Sequence, residues 1–427
     1  MGSSESLEAW LSRLIAVPPE RIELGLARVE AVYQRLGNVR PAPIVLTVAG
    51  TNGKGSTVAF LVAMLRAAGY RVGSYTSPHL FRFNERIVID GVEASDSEII
   101  DAFRAIDSAR GDIALTFFEF ATLAAIRLFA AAALDVAVFE VGLGGRLDAV
   151  NLLAADAAIV TTIDLDHQQY LGDTRDAIAV EKAGIFRAGC PAVIAETDPP
   201  ATLLAEVERI GAHPLRLGFE YRIDIDESGW HWIGFGTNLR LPHPGLRAPV
   251  QHYNAAAAIA ALMSLRDRLH VPFRAIRTGL TEASVRGRLE VISGVVETVI
   301  DVGHNPQAAT VLADWLRRNP RRTRAVFSAL ADKDITGIIE PLLPRVTHWH
   351  LAGLDGVTPR GLDAAGLRER IGGLIDDDSC TLHADPSAAL AAAQALASPG
   401  ERVLAFGSFF LVAALGPALN QFAAPAN

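Results

Sequence analysis

The chain has 427 residues, 50% of them hydrophobic and 20% charged, which is enough apolar content for two or three domains with large cores and too much for wholesale disorder. With 39 Lys and Arg against 48 Asp and Glu, the net charge of −9 argues against a nucleic-acid or anionic-membrane partner, and an anionic substrate needs a local basic pocket. Two cysteines, Cys190 and Cys380, exclude a disulfide framework and a Cys-based zinc site, and fit a reducing cytosol.

The start, Met1 to Leu14, lacks a basic segment followed by an apolar one, so no secretory signal is expected there, and Gly2-Ser3-Ser4 reads as a cloning scar. Short β-branched runs then alternate with alanine-rich helical stretches, the pattern of crossover units in a parallel sheet, so the fold class is α/β. Strands are expected at Ile44 to Ala49, Val72 to Tyr75, Leu134 to Glu140, Ala157 to Ile163 and Ala192 to Ala195. The most apolar stretch, Ala121 to Phe139, is interrupted by Arg127 and Asp135 and reads as a buried helix and a buried strand rather than a membrane span. Period-two alternation over Tyr221 to Asp226, a turn at Glu227-Ser228-Gly229 and Trp230 to Ile233 predict a hairpin in a small antiparallel sheet. A second α/β series follows, with strands at Val295 to Val302, Thr323 to Ser328, Val346 to Leu351 and Arg402 to Phe406, each but the last followed by a helix. The boundary is placed at 290/291, within 288 to 294.

Only the first half carries a glycine loop set between a strand and a helix, Gly50-Thr51-Asn52-Gly53-Lys54-Gly55-Ser56-Thr57. Such a loop turns backbone N–H groups toward phosphate oxygens, the helix N-terminus adds positive partial charge, and Lys54 supplies a cation. Ser56 or Thr57 can reach Mg²⁺. The spacing departs from the familiar G-x-x-x-x-G-K-[ST] pattern, because two residues separate Gly50 from Gly53 and Gly55 follows Lys54. Glu140 ends an apolar strand, where an acid points into the ligand crevice of a parallel sheet, and reads equally as a Mg²⁺ ligand or a structural acid. Asp164 and Asp166 project to one side if their strand persists, beside His167, for which ligand and satisfied polar residue both stay open. Ser77 by itself is a turn residue.

The ordered motifs resemble the Mur ligase superfamily and, within it, the folylpolyglutamate synthase and dihydrofolate synthase family. The resemblance spans nearly the whole chain. It rests on Gly50 to Thr57, Thr76-Ser77-Pro78-His79-Leu80, Asn84-Glu85-Arg86, Thr116 to Thr122, Glu140 to Asn151, Leu165-Asp166-His167 through Gly172, Glu181 to Ile185, Gly287-Arg288-Leu289, Asp301 to Pro306 and Gly407 to Phe410. It implies an N-terminal P-loop ATPase-type parallel-sheet domain over 1–290 that binds ATP and the pterin, and a C-terminal Rossmann-like glutamate ligase domain over 291–427.

The implied reaction is ATP-dependent amide formation through an acyl phosphate, joining L-glutamate to 7,8-dihydropteroate and extending reduced folates. The implied cations are two Mg²⁺, with K⁺ admitted. Matched to the family's motifs, Ser77, Glu140, His167 and a carbamylated Lys182 are metal ligands, and Lys54, Lys182 and His167 carry catalysis. Asn254, Arg288 and Asp301 match adenine, phosphate and ribose contacts. Thr116, Phe117, Phe118, Glu119, Leu147, Asp148 and Ala149 match pterin-side contacts, with Phe117 and Phe118 reading equally as core, and His304 and Ser408 match positions that face the glutamate side. Leu24 to Val29 is similar to the family's dihydropteroate segment. Leu289 and Val150 depart from the family's common Phe and Thr. The expectation is a cytoplasmic monomer with small-molecule substrates and neither nucleic acid nor membrane as partner; the alternatives are a muramyl-type amino-acid ligase and a nucleotide-switched binding protein.

Overall fold

The computed structural model describes residues 5–16 and 25–419, so Gly2-Ser3-Ser4 and Leu24 lie outside the described residues. The chain forms two compact units, one of residues 1–245 and 251–284, the other of 246–250 and 285–427. The division falls at Ser284/Val285, a few residues before the expected 290/291. Backbone and side-chain bonds explain the difference: Val302 N–H donates to Gly287 O and Leu289 N–H to Asp301 Oδ2, which ties 287–289 to the second unit.

The first unit is built on an eight-stranded sheet. In chain order its strands are β1 (Ile44–Ala49), β2 (Val72–Tyr75), β3 (Ile87–Ile89), β4 (Val92–Glu93), β5 (Val136–Glu140), β6 (Ala157–Val160), β7 (Pro191–Ile194) and β8 (His213–Arg216), laid side by side as β4-β3-β2-β5-β1-β6-β7-β8. Six run parallel, and β3 and β4 add an antiparallel edge. β1 is buried along its whole length, as its unbroken Ile-Val-Leu-Thr-Val-Ala run requires of a strand covered on both faces. Register does the positioning. Val48 of β1 pairs with Glu140 of β5, and Ala49 with Val160 of β6. The loop after β1, the acid ending β5 and the threonines after β6 therefore emerge side by side.

The helix Lys54–Ala67 leaves the loop after β1 and packs against the helix Phe273–Glu282, where Gly279 stands so close that a Cβ there would strike the backbone at Met64. The apolar stretch resolves into the helix Phe117–Ala131 and β5, and among the described residues no helix is long and apolar enough to cross a membrane. The expected hairpin is a three-stranded antiparallel sheet of β9 (Tyr221–Asp226), β10 (Gly229–Gly234) and β11 (Thr237–Leu241). Its buried Trp232 donates to Ala256 O at 3.1 Å, anchoring the helix Gln251–Ser264.

The second unit holds a six-stranded sheet of β12 (Glu290–Ile292), β13 (Glu297–Asp301), β14 (Thr323–Phe327), β15 (Val346–Ala352), β16 (Cys380–His383) and β17 (Arg402–Phe406), ordered β12-β13-β17-β14-β15-β16. All pairs are parallel except β12 with β13. Phe327, Trp349, Leu351 and Phe406 lie in its core beneath the helix Pro306–Arg318. A helix, Phe409–Leu419, also follows β17, contrary to expectation: its apolar run has one buried face, seen at Leu411, Val412 and Leu415, which the sequence alone presents as unpatterned. Both cysteines are free, as a chain without a disulfide framework requires.

Candidate active site

The loop 50–57 is held from β6 as well as from its own strand. Thr51 N–H donates to Thr162 O and Asn52 N–H to Thr162 Oγ1 at 2.9 Å, while Thr161 Oγ1 donates to Asn52 O at 2.6 Å. Gly53 has φ +86° and caps the helix; a Cβ there would lie 2.5 Å from Asn254 Oδ1, so both backbone conformation and space demand glycine. Asn254 is thus placed against the loop, and it donates to Gln251 Oε1, whose amide donates to Ser56 Oγ at 3.3 Å. Gln251 carries no sequence signal; only the packing of two distant helices reveals it. Lys54 Nζ lies 2.9 Å from Gly50 O and 3.2 Å from Thr51 O, and the Thr57 hydroxyl donates to Gly53 O at 3.0 Å.

Glu140 is buried beside this loop, its Oε2 only 3.6 Å from where a Cβ on Gly55 would stand, and it accepts the Ser77 N–H at 3.2 Å. The structure therefore brings Glu140, Ser77 and the loop together. Beneath them lie groups whose ionisation is strained by burial. Lys182 is buried; removal from water, reinforced by the Lys54 charge and opposed by Asp166, pushes its ammonium down to about 7. Asp148 is also buried. Burial pushes its carboxyl up to about 6 against three N–H donors, those of Gly142, Leu143 and Val150, and against the Lys54 charge.

The Asp164–Asp166 segment differs from expectation. β6 stops at Val160, so the two acids do not project from a continuing strand. Asp164 N–H donates to Thr51 Oγ1, and Asp166 Oδ1 accepts the N–H of His167, which sits at φ +51° with its side chain 37% exposed. Thr51 of the loop takes both the N–H and the C=O of Asp164, which turns the chain away from strand pairing there.

On the other flank, Thr116 caps the helix Phe117–Ala131 in a reciprocal box with Glu119. The buried Glu119 carboxylate also receives Arg28 Nε at 2.9 and 3.0 Å, so it is committed to holding Arg28 as much as to facing a ligand. Phe118 packs on Gly142 and lies 5.9 Å from the Tyr75 ring, while Phe117 meets Phe83 edge-on at 5.7 Å. Leu147 is half-buried and Ala149 buried, either side of Asp148. Arg86, not singled out as a site residue from sequence, is buried among these rings, 5.2 Å from Phe117, and donates to His79 Nδ1 at 2.8 Å. Burial lowers the Arg86 guanidinium, with Tyr75 and Glu140 opposing that shift, and burial with Arg86 holds His79 down to about 4. The signal for Arg86 was its motif, Asn84-Glu85-Arg86.

In the second unit, Asp301 ends β13 and accepts the N–H groups of Gly303 at 2.6 Å and Leu289 at 2.8 Å, and the Arg288 guanidinium lies over the Phe409 ring at 5.4 Å. His304 has Nδ1 3.0 Å from Val302 O, and the buried Ser408 accepts the Phe410 N–H at 3.1 Å. Arg288, Asp301, His304 and Ser408 thus gather at the carboxyl ends of β13 and β17.

Among the described residues no cluster of three or more His, Cys, Asp and Glu side chains is arranged to hold a metal by itself. Glu140, Ser77 and the loop hydroxyls nevertheless suit Mg²⁺, which takes oxygen donors, accepts few from the protein and completes its shell with waters and phosphate oxygens.

The family model for the Mur ligase middle domain matches residues 48–262, and that for the Mur ligase glutamate ligase domain matches residues 287–409. The chain is 43% identical to dihydrofolate synthase/folylpolyglutamate synthase of Escherichia coli (strain K12), over 96% of this chain and 95% of that one. With the Haemophilus influenzae protein of the same description it shares 38% identity, over 96% and 97%. The solved structure of Escherichia coli FolC in complex with DHPP and ADP has a TM-score of 0.92, at 41% identity over 97% of this chain and 98% of that one. A bifunctional folylpolyglutamate synthase/dihydrofolate synthase with Mn, AMPPNP and L-glutamate bound has a TM-score of 0.89, at 42% identity over 97% and 98%.

Proposed function

The chain belongs to the Mur ligase superfamily and, within it, to the dihydrofolate synthase/folylpolyglutamate synthase family, and on that premise we propose that it is an ATP-dependent ligase joining L-glutamate to 7,8-dihydropteroate and to reduced folates. What carries this reading is the likeness over 97% of the chain to a solved structure described as holding both DHPP and ADP.

The chemistry fits the residues. The pteroate carboxylate attacks the γ-phosphorus of ATP, ADP leaves, and the glutamate amine then displaces phosphate from the acyl phosphate to give the amide. The first step brings two anions together, so Lys54 and the loop N–H groups must offset their repulsion. Glu140, His167, Ser77 and Ser56 or Thr57 are the residues that would hold a divalent cation, which supplies further neutralisation of the phosphates. Lys182 would join them as a carbamate: burial pushes its ammonium down to about 7, so the neutral amine is well populated near that pH, and addition of CO₂ to that amine with loss of one proton gives a carbamate anion. Asn254, Arg288 and Asp301 would hold the nucleotide. Arg28 and Glu119, Thr116, Phe117, Phe118 and the 147–149 segment would hold the pterin, whose flat ring suits aromatic faces. His304 and Ser408 would meet glutamate in the second unit. We place the enzyme in the cytoplasm as a monomer.

The test is phosphate release and product mass with dihydropteroate, with tetrahydrofolate and with a UDP-muramyl acceptor, each with labelled glutamate and ATP. The proposal expects ADP release only when a pteroyl acceptor and L-glutamate are both present, and a product one glutamyl unit heavier. Amide formation on the muramyl acceptor alone, or rapid ATP hydrolysis with neither substrate, overturns it.

A further inference from the structure

The chain is acidic overall, yet Arg317-Arg318-Asn319-Pro320-Arg321-Arg322-Thr323-Arg324 places five arginines in eight residues. Two have an ordinary explanation. Arg317 and Arg318 end the helix Pro306–Arg318, answer its dipole and pair with Asp314. The others gather at the amino ends of β14 and β15 with Arg345 and with Arg402, the first residue of β17.

Here five guanidiniums meet two carboxylates. Glu297 is taken at 2.6 Å by the buried Arg402, and Arg321 reaches it only at 3.8 Å. Glu401 is shared between Arg324 at 3.4 Å and Arg322 at 3.2 Å. Arg345 is exposed and makes no ion pair among the described residues. Three positive charges are therefore left over. They are not spread on a convex surface. Arg321, Arg322 and Arg345, with Thr347, line a groove of about 420 Å³ whose walls are Leu316, Pro320 and Pro344. That is the volume of a small-molecule site rather than of a duplex track, and two rigid prolines shape it.

We propose that this groove is a second ligand site, which takes a small oxyanion of three or more charges, phosphate or carboxylate in chemistry, by bidentate contacts from Arg321, Arg322 and Arg345. Planar guanidiniums suit either oxyanion. Within the second unit, the site is separate from the residues proposed to meet nucleotide and glutamate. Arg288, Asp301, His304 and Ser408 lie at the carboxyl ends of strands parallel to β14, a strand length of about 17 Å away.

The experiment is calorimetric titration of the full chain, saturated with Mg·AMPPNP so that the phosphate loop does not compete, with inorganic tripolyphosphate in one arm and tri-γ-glutamate in the other. Whichever arm binds identifies the source of the oxyanions. Arg345→Gln, on an exposed turn with no ion pair to lose, should weaken binding about 10-fold, and Arg322→Gln with Arg345→Gln should abolish it. Arg104→Gln, on the first unit's surface, should change nothing. Binding that survives the double substitution, that Arg104→Gln weakens equally, or that is missing in both arms overturns the proposal. An unaltered unfolding midpoint in Arg345→Gln separates lost binding from lost fold.

Discussion

At the carboxyl end of the eight-stranded sheet, half-buried polar and charged groups are held by partners far away in sequence: Asn52 by Thr162, Ser77 by Glu140, Arg28 by Glu119. At the same end of the six-stranded sheet the polar groups are held by near neighbours, His304 by Val302 and Ser408 by Phe410. The difference follows from the charge each end must manage. A phosphoryl group passing between anions needs cations fixed beforehand in a dry site, which takes a scaffold with several elements behind every group. An amino acid can be met by local turns.

Substitutions should sort the two ends accordingly. Lys54→Ala should lower turnover by about 10²- to 10³-fold or more with little change in unfolding midpoint, measured by ADP release and thermal melt. Lys182→Ala comes next, at about 10²-fold, and added formate or acetate should restore part of the loss by standing in for the carbamate. An unaffected Lys182→Ala protein would remove the carbamate and blur the contrast.

Glu119→Ala removes both the carboxylate half of the capping box and the partner of Arg28, and should cost about 2–3 kcal/mol in denaturant unfolding. In CO₂-free buffer the unfolded chain keeps the Lys182 proton up to pH 10.5 while the folded chain gives it up at about 7. The unfolded state then binds more protons, so stability rises with pH across that window, by up to about 1.4 kcal/mol per pH unit, and Lys182→Met should flatten the rise. Ser408→Ala should have the smallest effect, less than about 10-fold in the KM for glutamate. If it matched Lys54→Ala, the proposed division of labour would be wrong.

How much could be read from sequence follows the same line. The loop 50–57, β1 and the helix after it are contiguous, so their local pattern sufficed. The burial of Lys182 was not legible, because it comes from packing that no helix pattern around Glu181 and Ala183 encodes; only the family resemblance marked it. Arg28 with Glu119 and Gln251 with Ser56 are 91 and 195 residues apart, and no spacing rule relates them. The strands β3, β4, β8, β12 and β16, at or next to the sheet edges, were missed for another reason: at two to four residues each, they are too short for alternation to stand out.

Gly279 sits on a helix that carries none of the reacting groups, yet the missing side chain there lets that helix lie against Met64, about 15 Å along the axis from Lys54. Adding one methyl group would lever the helix that carries Lys54 as a rigid rod. Selection for nucleotide affinity therefore reaches well past the nucleotide, and a random-mutagenesis screen for weakened ATP use should recover lesions at this remote joint as well as in the loop.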